Sequence, residues 1–280
     1  MTIPASVAGL IARMGEGPVF VHSDPFRAAR LVGAVRNRDV FLDAHVALLR
    51  EAAGELPLWL PSFNYDFPST RVFDVQRSES QLGPIPERFR NTAAEWRTPV
   101  PIFSIAGTGE GPGARFGEET DPFDDSSAFA QLTHCNGVVL YYGNTFHYNT
   151  IVHYAERLAG GPVYRYDKIF PGRVIMRDGT TIEGSLRYHV RPMGSGLEYD
   201  WPRLLREAVA EGVCRGLDEL PEVLAASASG LSDLWSSRMK ADPFALLNEE
   251  TRRWAEPAIE KLGRRFVISD FEREEAGASA

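Results

Sequence analysis

The apolar run Gly137-Val-Val-Leu-Tyr-Tyr142 constrains the fold of this chain most. It is short and rich in β-branched and aromatic residues, which predicts a buried strand rather than a helix. Gly143-Asn-Thr-Phe-His-Tyr-Asn-Thr-Ile-Val-His-Tyr-Ala-Glu156 follows directly. Asn149 is a suitable N-cap for a helix over 150–159, and Gly160-Gly161-Pro162 stops it. A buried strand that feeds a helix is the unit of an α/β fold.

On that helix Thr150, His153 and Glu156 are three residues apart, so they project as neighbours from one face. A carboxylate beside an imidazole fixes its tautomer and stabilises the imidazolium. The nearby helix N-terminus opposes this and favours neutral imidazole, ready to accept a proton. The same pair is also a common surface ion pair of small energetic weight, and the spacing alone leaves both readings open. No metal is expected: His147, His153 and Glu156 lack zinc-helix spacing, and the two cysteines are far apart.

At 280 residues, 44% hydrophobic and 24% charged, the chain has ample material for a sizeable core. A formal charge of −8 argues against non-specific nucleic-acid binding. Two cysteines make no disulfide framework, and Cys135, bordering the central strand, reads as a small core residue. No apolar run approaches ~18 residues and the N-terminus has no signal pattern, so no membrane span and a cytoplasmic location are expected.

Taken in order, 3–14 is an amphipathic stretch and Val19-Phe-Val-His22 a strand. Ser23-Asp24-Pro25 should open a helix whose free N–H groups could seat a phosphate or a thioester carbonyl. Asp39 to Ala53 is an amphipathic helix, and Leu56 to Leu60 a second buried strand running into Ser-Phe-Asn-Tyr-Asp66. Aromatics with Asn64 and Asp66 past a strand end suit a ligand site in an open sheet, or simply a packed loop. Residues 77–90 hold a turn and then a helix, and Arg97 to Gly107 a loop feeding a short strand. Gly109 to Asp125 is an exposed loop open to use as a lid. Ser126 or Ser127 caps the helix before the central strand.

Beyond Pro162, 163–170 and 174–176 read as strands, with Asp178-Gly179 turning the chain into 180–190. Leu186, Tyr188 and Val190 alternate with Arg187, His189 and Arg191, giving an apolar and a cationic face. Helices are expected over 200–212 and 243–262. With no repeats or linker, the chain reads as a single α/β domain over 1–271, a central mixed sheet flanked by helices with a β-hairpin elaboration. Residues 272–280 read as a disordered tail.

Several segments together resemble the aminoglycoside 3-N-acetyltransferase (antibiotic N-acetyltransferase) family. They are Val21-His-Ser-Asp24, Leu60-Pro-Ser-Phe-Asn-Tyr-Asp66, Ser80 to Arg90, Arg97 to Gly107, Phe116-Gly with Ser127-Ala-Phe129, Val138 to Gly143, and Asn149-Thr-Ile-Val-His-Tyr-Ala-Glu156. The resemblance spans roughly 17–200 and implies acyl transfer from acetyl-CoA, or another acyl-CoA, to an amino-sugar amine without a covalent intermediate. It implies His153 as general base, Glu156 as its orienting partner, and Thr150 near the reacting centre. Backbone N–H groups at Ser23-Asp24 or around Ser104 would serve the oxyanion, and Ser80, Gly83 and Arg97 the coenzyme, with Gly83 admitting the pantetheine and Arg97 on a phosphate. Tyr65, Asp66 and Glu87 fall to the acceptor.

The chain has Val100-Pro101 where many resistance enzymes carry His-Pro. Tyr164 to Lys168 with Arg187 and Arg191 look more like relatives acting on nucleotide-linked amino sugars for polysaccharides. An aminoglycoside and a nucleotide-linked amino sugar both stand as acceptors, and a homo-oligomer stays open. The alternatives are a non-catalytic sugar-binding relative and a Ser/His/Glu hydrolase, the latter lacking Gly-x-Ser-x-Gly.

Overall fold

The protein is described by a computed structural model over residues 2–143 and 145–272. Its larger sheet is built from β1 (Val19–Ser23), β2 (Leu58–Pro61), β4 (Trp96–Arg97), β5 (Ile105–Gly107), β6 (Val138–Tyr142), β9 (Cys214–Leu217) and β10 (Leu220–Ser227). A smaller sheet contains β3 (Val72–Asp74), β7 (Tyr166–Ile175) and β8 (Thr181–Val190). The helices are α1 (Ile3–Ala12), α2 (Arg38–Ala53), α3 (Phe67–Thr70), α4 (Pro84–Thr92), α5 (Ala128–His134), α6 (Ile151–Leu158), α7 (Trp201–Ala210), α8 (Ala228–Ala241) and α9 (Glu249–Leu262).

The large sheet runs β4-β5-β2-β1-β6-β10-β9. Its centre, β2-β1-β6, is parallel, and the strands on either side join antiparallel, so the sheet is mixed. The central strands are buried almost throughout, and mostly apolar, because both faces are covered. Side-chain alternation divides them between two cores. Val19, Val21, Val138 and Leu140 pack under α1, α2 and α4 with Leu10, Val46 and Phe89. Phe20, Val139 and Tyr141 face α5, α6 and α8 with Phe129, Tyr154 and Trp235.

In the small sheet, β7 and β8 form a ten-pair antiparallel hairpin. Asp178 Oδ1 accepts the Thr180 N–H at 2.9 Å in its turn. The strands expected at 163–170 and 174–176 are one continuous strand passing through Pro171-Gly172. β8 has cover on both sides: Leu186 and His189 are both buried, so His189 does not belong to a solvated cationic face.

The acidic loop after β5 is fastened to the open edge of β8. Thr120 N–H donates to the Ser185 carbonyl at 2.8 Å, and Arg187 N–H to the Thr120 carbonyl at 2.8 Å. A Cβ on Gly184 would stand 1.9 Å from the Gly117 carbonyl oxygen, so only glycine admits this crossing. Phe116 and Phe123 are buried, which replaces the lid expectation with an anchored loop.

Other expectations fail for local reasons. Asp24 Oδ1 accepts the N–H groups of Phe26 and Arg27, at 2.9 and 3.1 Å. Asp24 therefore caps a turn, as expected, but the turn leads into a 3-10 helix over Ala29–Leu31 and not into an α-helix. Ahead of α6, Asn149 does not cap; its Nδ2 donates to the Tyr141 hydroxyl, and Thr150 takes the cap position without a side-chain bond. Arg97 to Gly107 holds two paired strands, reversed through Ile102 at φ +66°. Cys135 is exposed at the end of α5, not a core residue. Glu272, placed in the tail, accepts from Tyr166 at 2.5 Å and pairs with Lys168; the rest of the tail lies outside the described residues. No described helix is long and apolar enough to cross a membrane.

Candidate active site

The steep amphipathicity of α6 positions its histidine. Ile151, Val152, Tyr154 and Ala155 are fully buried against the sheet and α8, which turns His153 and Glu156 toward the small sheet. His153 Nδ1 and Glu156 Oε2 are 2.8 Å apart, with 21% of the His153 side chain exposed and none of Glu156. An ionised carboxylate only accepts, so His153 carries its proton on Nδ1 and leaves Nε2 bare.

Four further groups converge on Glu156. His189 Nε2 lies 2.8 Å from the same Oε2. Oε1 accepts from Tyr164 at 2.9 Å and Tyr199 at 2.6 Å, and Arg165 Nε sits 3.4 Å away. Burial would raise the Glu156 pKa, but Arg165 and the two histidines hold it well below the usual carboxylate range. His153 is pulled down by burial and partly restored by Glu156. His189 is pushed down to about 4 by burial. The imidazoles are therefore neutral at pH 7.

The ligating atoms of His153, Glu156 and His189 lie within 4.8 Å of one another, close enough to converge on a metal ion. The carboxylate is already held by the Arg165 charge and two hydroxyls. This donor set makes a hydrogen-bonded relay rather than a cation cage.

A cleft of about 460 Å³ opens beside this group. It lies at the carboxyl ends of β1 and β2, where Ser23 and Pro61 line it. β1 is the strand from which the parallel order departs in both directions, to β2 and to β6, the switch point where open sheets bind ligands. Thr150 lines the cleft, and His153 follows one turn on, beyond the lining residues. Phe26, Tyr65 and Tyr148 rim it with exposures of 52–80%, unusual for rings with nothing to bind. Ser23 Oγ is buried beside it without a partner among the described residues. Gly83, at φ +104°, turns the chain into α4 at its edge. A second cavity of about 400 Å³ shares Pro25, Phe26 and Pro84 and carries Arg36 and Arg38.

Thus the structure brings Thr150, Ser23, Gly83 and Tyr65 onto one cleft, next to His153 and Glu156. The other expected residues serve the scaffold. Arg97 is buried, with Ser62, Ser78, Val75 and Ser104 as hydrogen-bond acceptors and Phe73 under its guanidinium, so it has no face for a phosphate. Ser104 is fully buried and donates to the Ser62 carbonyl. Glu87 is bonded to Ser80 N–H, Arg90 and Asn91, which removes it and the Ser80 backbone from ligand contact. Asp66 is bonded to Asn64 and Gln81 outside the cleft lining. The cations that suggested a nucleotide-linked acceptor are paired too: Arg165 with Glu156, Arg187 with Glu119, Lys168 with Glu272.

Sequence reasoning missed His22, His189, Tyr164 and Tyr199. His22 lines the cleft, accepts the Thr150 N–H at 3.4 Å, and is pushed down to about 3 by burial. It lies within Val21-His-Ser-Asp24, so it was findable. The other three reach Glu156 from separate elements, and no spacing announces them.

A mixed α/β sheet with a ligand cleft at its switch point, and a neutral histidine backed by a buried carboxylate beside it, make a site suited to general-base chemistry on a bound ligand. The profile of the aminoglycoside 3-N-acetyltransferases matches residues 57–213, and the chain belongs to that family. It is in class an N-acyltransferase, in a family that takes acetyl-CoA as co-substrate. Solved structures share the fold. Aminoglycoside acetyltransferase AAC(3)-Xa is 18% identical with a TM-score of 0.66, over 88% of this chain and 92% of that one. AAC-IIIb in a binary complex with CoASH is 21% identical, TM-score 0.67, over 85% and 96%. A mutant of AAC(3)-IVa in complex with apramycin is 19% identical, TM-score 0.61, over 86% and 93%. No curated protein matches the chain.

Proposed function

We propose that the protein transfers an acyl group from acyl-CoA to the amine of an amino sugar, with His153 as general base and Glu156 as its orienting partner. The observation that carries this reading is the 2.8 Å contact between His153 Nδ1 and the buried, ionised Glu156, which leaves Nε2 as the acceptor. A neutral amine nitrogen attacks the thioester carbonyl, forming the C–N bond as its proton passes to His153 Nε2. The tetrahedral oxyanion collapses, the C–S bond breaks, and the thiolate leaves with that proton. Ser23, which lines the cleft with Thr150, is the candidate for the oxyanion. Thr150 lines the cleft one turn before His153.

The coenzyme's pantetheine arm fits the apolar cleft past Gly83, and its phosphates fit the adjoining cavity at Arg36 and Arg38. Tyr65 offers a ring face to the acceptor sugar. Residues 1–271 act as one domain in this reading, both cores lying on the same sheet. The acceptor is an aminoglycoside or another amino sugar; the pairing of Arg165, Arg187 and Lys168 weighs against a nucleotide-linked one.

The test is free-thiol release from acetyl-CoA with a panel of aminoglycosides and nucleotide-linked amino sugars, with mass spectrometry of the products. Acetylated aminoglycoside is the expected result. Turnover with nucleotide sugars alone would reassign the acceptor. Hydrolysis of p-nitrophenyl esters without coenzyme A, or no thiol release and no coenzyme A binding, would overturn the reading.

A further inference from the structure

The role of His189 goes beyond packing. It is fully buried, so it touches no substrate, and it reaches Glu156 from β8, an element that adds no residue to the cleft lining. Its Nε2 faces an acceptor-only oxygen and therefore carries the proton. Its Nδ1 is then a buried acceptor without a partner among the described residues. Such an orphan is destabilising. Stability alone does not explain an imidazole here.

We propose, building on the reading of His153 as base, that His189 is a positioning residue that sets the proton affinity of His153. Both imidazoles donate to Glu156 Oε2 at 2.8 Å, and their rings stand 5.4 Å apart. The second donor fixes this oxygen and withdraws charge from it that would otherwise stabilise the His153 imidazolium. His153 therefore remains neutral when the amine arrives and releases its proton readily to the departing thiolate. The ionisable groups facing the two imidazoles are Glu156 on α6, Tyr164 and Arg165 before β7, and Tyr199 before α7. Phe123 of the acidic loop covers both rings and carries no charge.

Three variants of the full chain separate this from a structural role. His189→Leu removes the donor, His189→Asn shortens it out of reach, and His189→Gln restores an N–H near the Nε2 position. The His153 ring is titrated by nitrogen-15 NMR, which reads its proton affinity whether or not an acceptor is known, and the pH profile of kcat/KM is recorded alongside. In Leu or Asn, whichever folds, the His153 titration and the acidic limb should rise by about half a pH unit or more. His189→Gln should stay within about 0.2 units of wild type. An unmoved or lowered His153 titration in the donor-less variants overturns the proposal, as does a Gln variant that shifts as far as they do. An NMR shift without any thiol release leaves His189 in its role and removes only His153 as base.

Discussion

The ring of Phe123 packs 5.2 Å from the ring of His153. Phe123 sits in an acidic segment, yet it is the most deeply buried part of that loop and shields one side of the histidine from water. Shielding of this kind disfavours the imidazolium, which agrees with the downward direction of the His153 pKa.

Phe123→Ala should therefore have two effects. Loss of a fully buried ring should destabilise the fold by about 3–5 kcal/mol, measured by chemical denaturation. Water admitted beside His153 should move its titration upward, measured by NMR in the same variant. Destabilisation with an unmoved titration would show that the ring only packs.

Removal of the proposed base and of its partner should look different. His153→Ala should lower kcat by about 10²-fold or more with little change in melting temperature, because the side chain is partly exposed. Glu156→Gln leaves Arg165 buried without its counter-charge and should cost about 3–5 kcal/mol. Calorimetry on the two variants distinguishes them, and a His153→Ala enzyme at near wild-type rate would remove the histidine from the chemistry.

Stability should decline in acid earlier than carboxylates alone would cause. His22, His45 and His189 are buried and neutral, pushed down to about 3, 4 and 4. Between the unfolded value near 6.5 and those values, the unfolded chain binds protons that the native chain refuses. Stability is thus full above pH 6.5 and falls as pH drops toward 4, by about 1.4 kcal/mol per pH unit for each such group. Glu156 has the depressed carboxylate pattern, so its contribution persists above the ordinary carboxylate pKa and fades only below it. Urea midpoints between pH 8 and 4.5 measure this, and a flat profile from 7 to 5 would contradict it.

Arg97→Lys tests a scaffold role against a phosphate role. A lysine cannot reproduce the guanidinium fork across several backbone carbonyls, and about 2–4 kcal/mol of stability should be lost. The KM for acetyl-CoA should stay near wild type. Arg36→Ala or Arg38→Ala should give the reverse, an unchanged melting temperature and a raised KM for the coenzyme.

Much of this was readable from residue order. The run Val138 to Tyr142, the amphipathic helix after it and the Asp178-Gly179 hairpin all follow from local period and turn chemistry, and His153 and Glu156 are near enough in sequence to be paired by helical spacing. What local pattern could not carry was placement in depth. Arg97 and Glu87 look like ligand-binding charges in sequence, but burial and neighbouring carbonyls or cations turn them into braces. His189 alternates like a solvent-facing strand residue, and only the fold of the hairpin over α6 makes it a partner of Glu156. Residues 213–242 hold β9, β10 and α8, yet Pro221 and Glu222 interrupt the apolar pattern that would have announced the strands. Glu222 is accommodated there by an ion pair with Arg30.

The fastening of Gly117 and Thr120 along β8 has a consequence for the edge of the small sheet. β8 is ten residues long and would otherwise present an unpaired edge on which another chain could add a strand. The acidic loop occupies the middle of that edge, held there by ion pairs of Glu119 with Arg187 and of Asp121 with Arg157. Because the same loop holds Phe123 over His153, peeling it away would both wet the histidine and uncover an aggregation-prone strand. Loss of tuning at the histidine and loss of solubility should therefore arise together, from a single local opening.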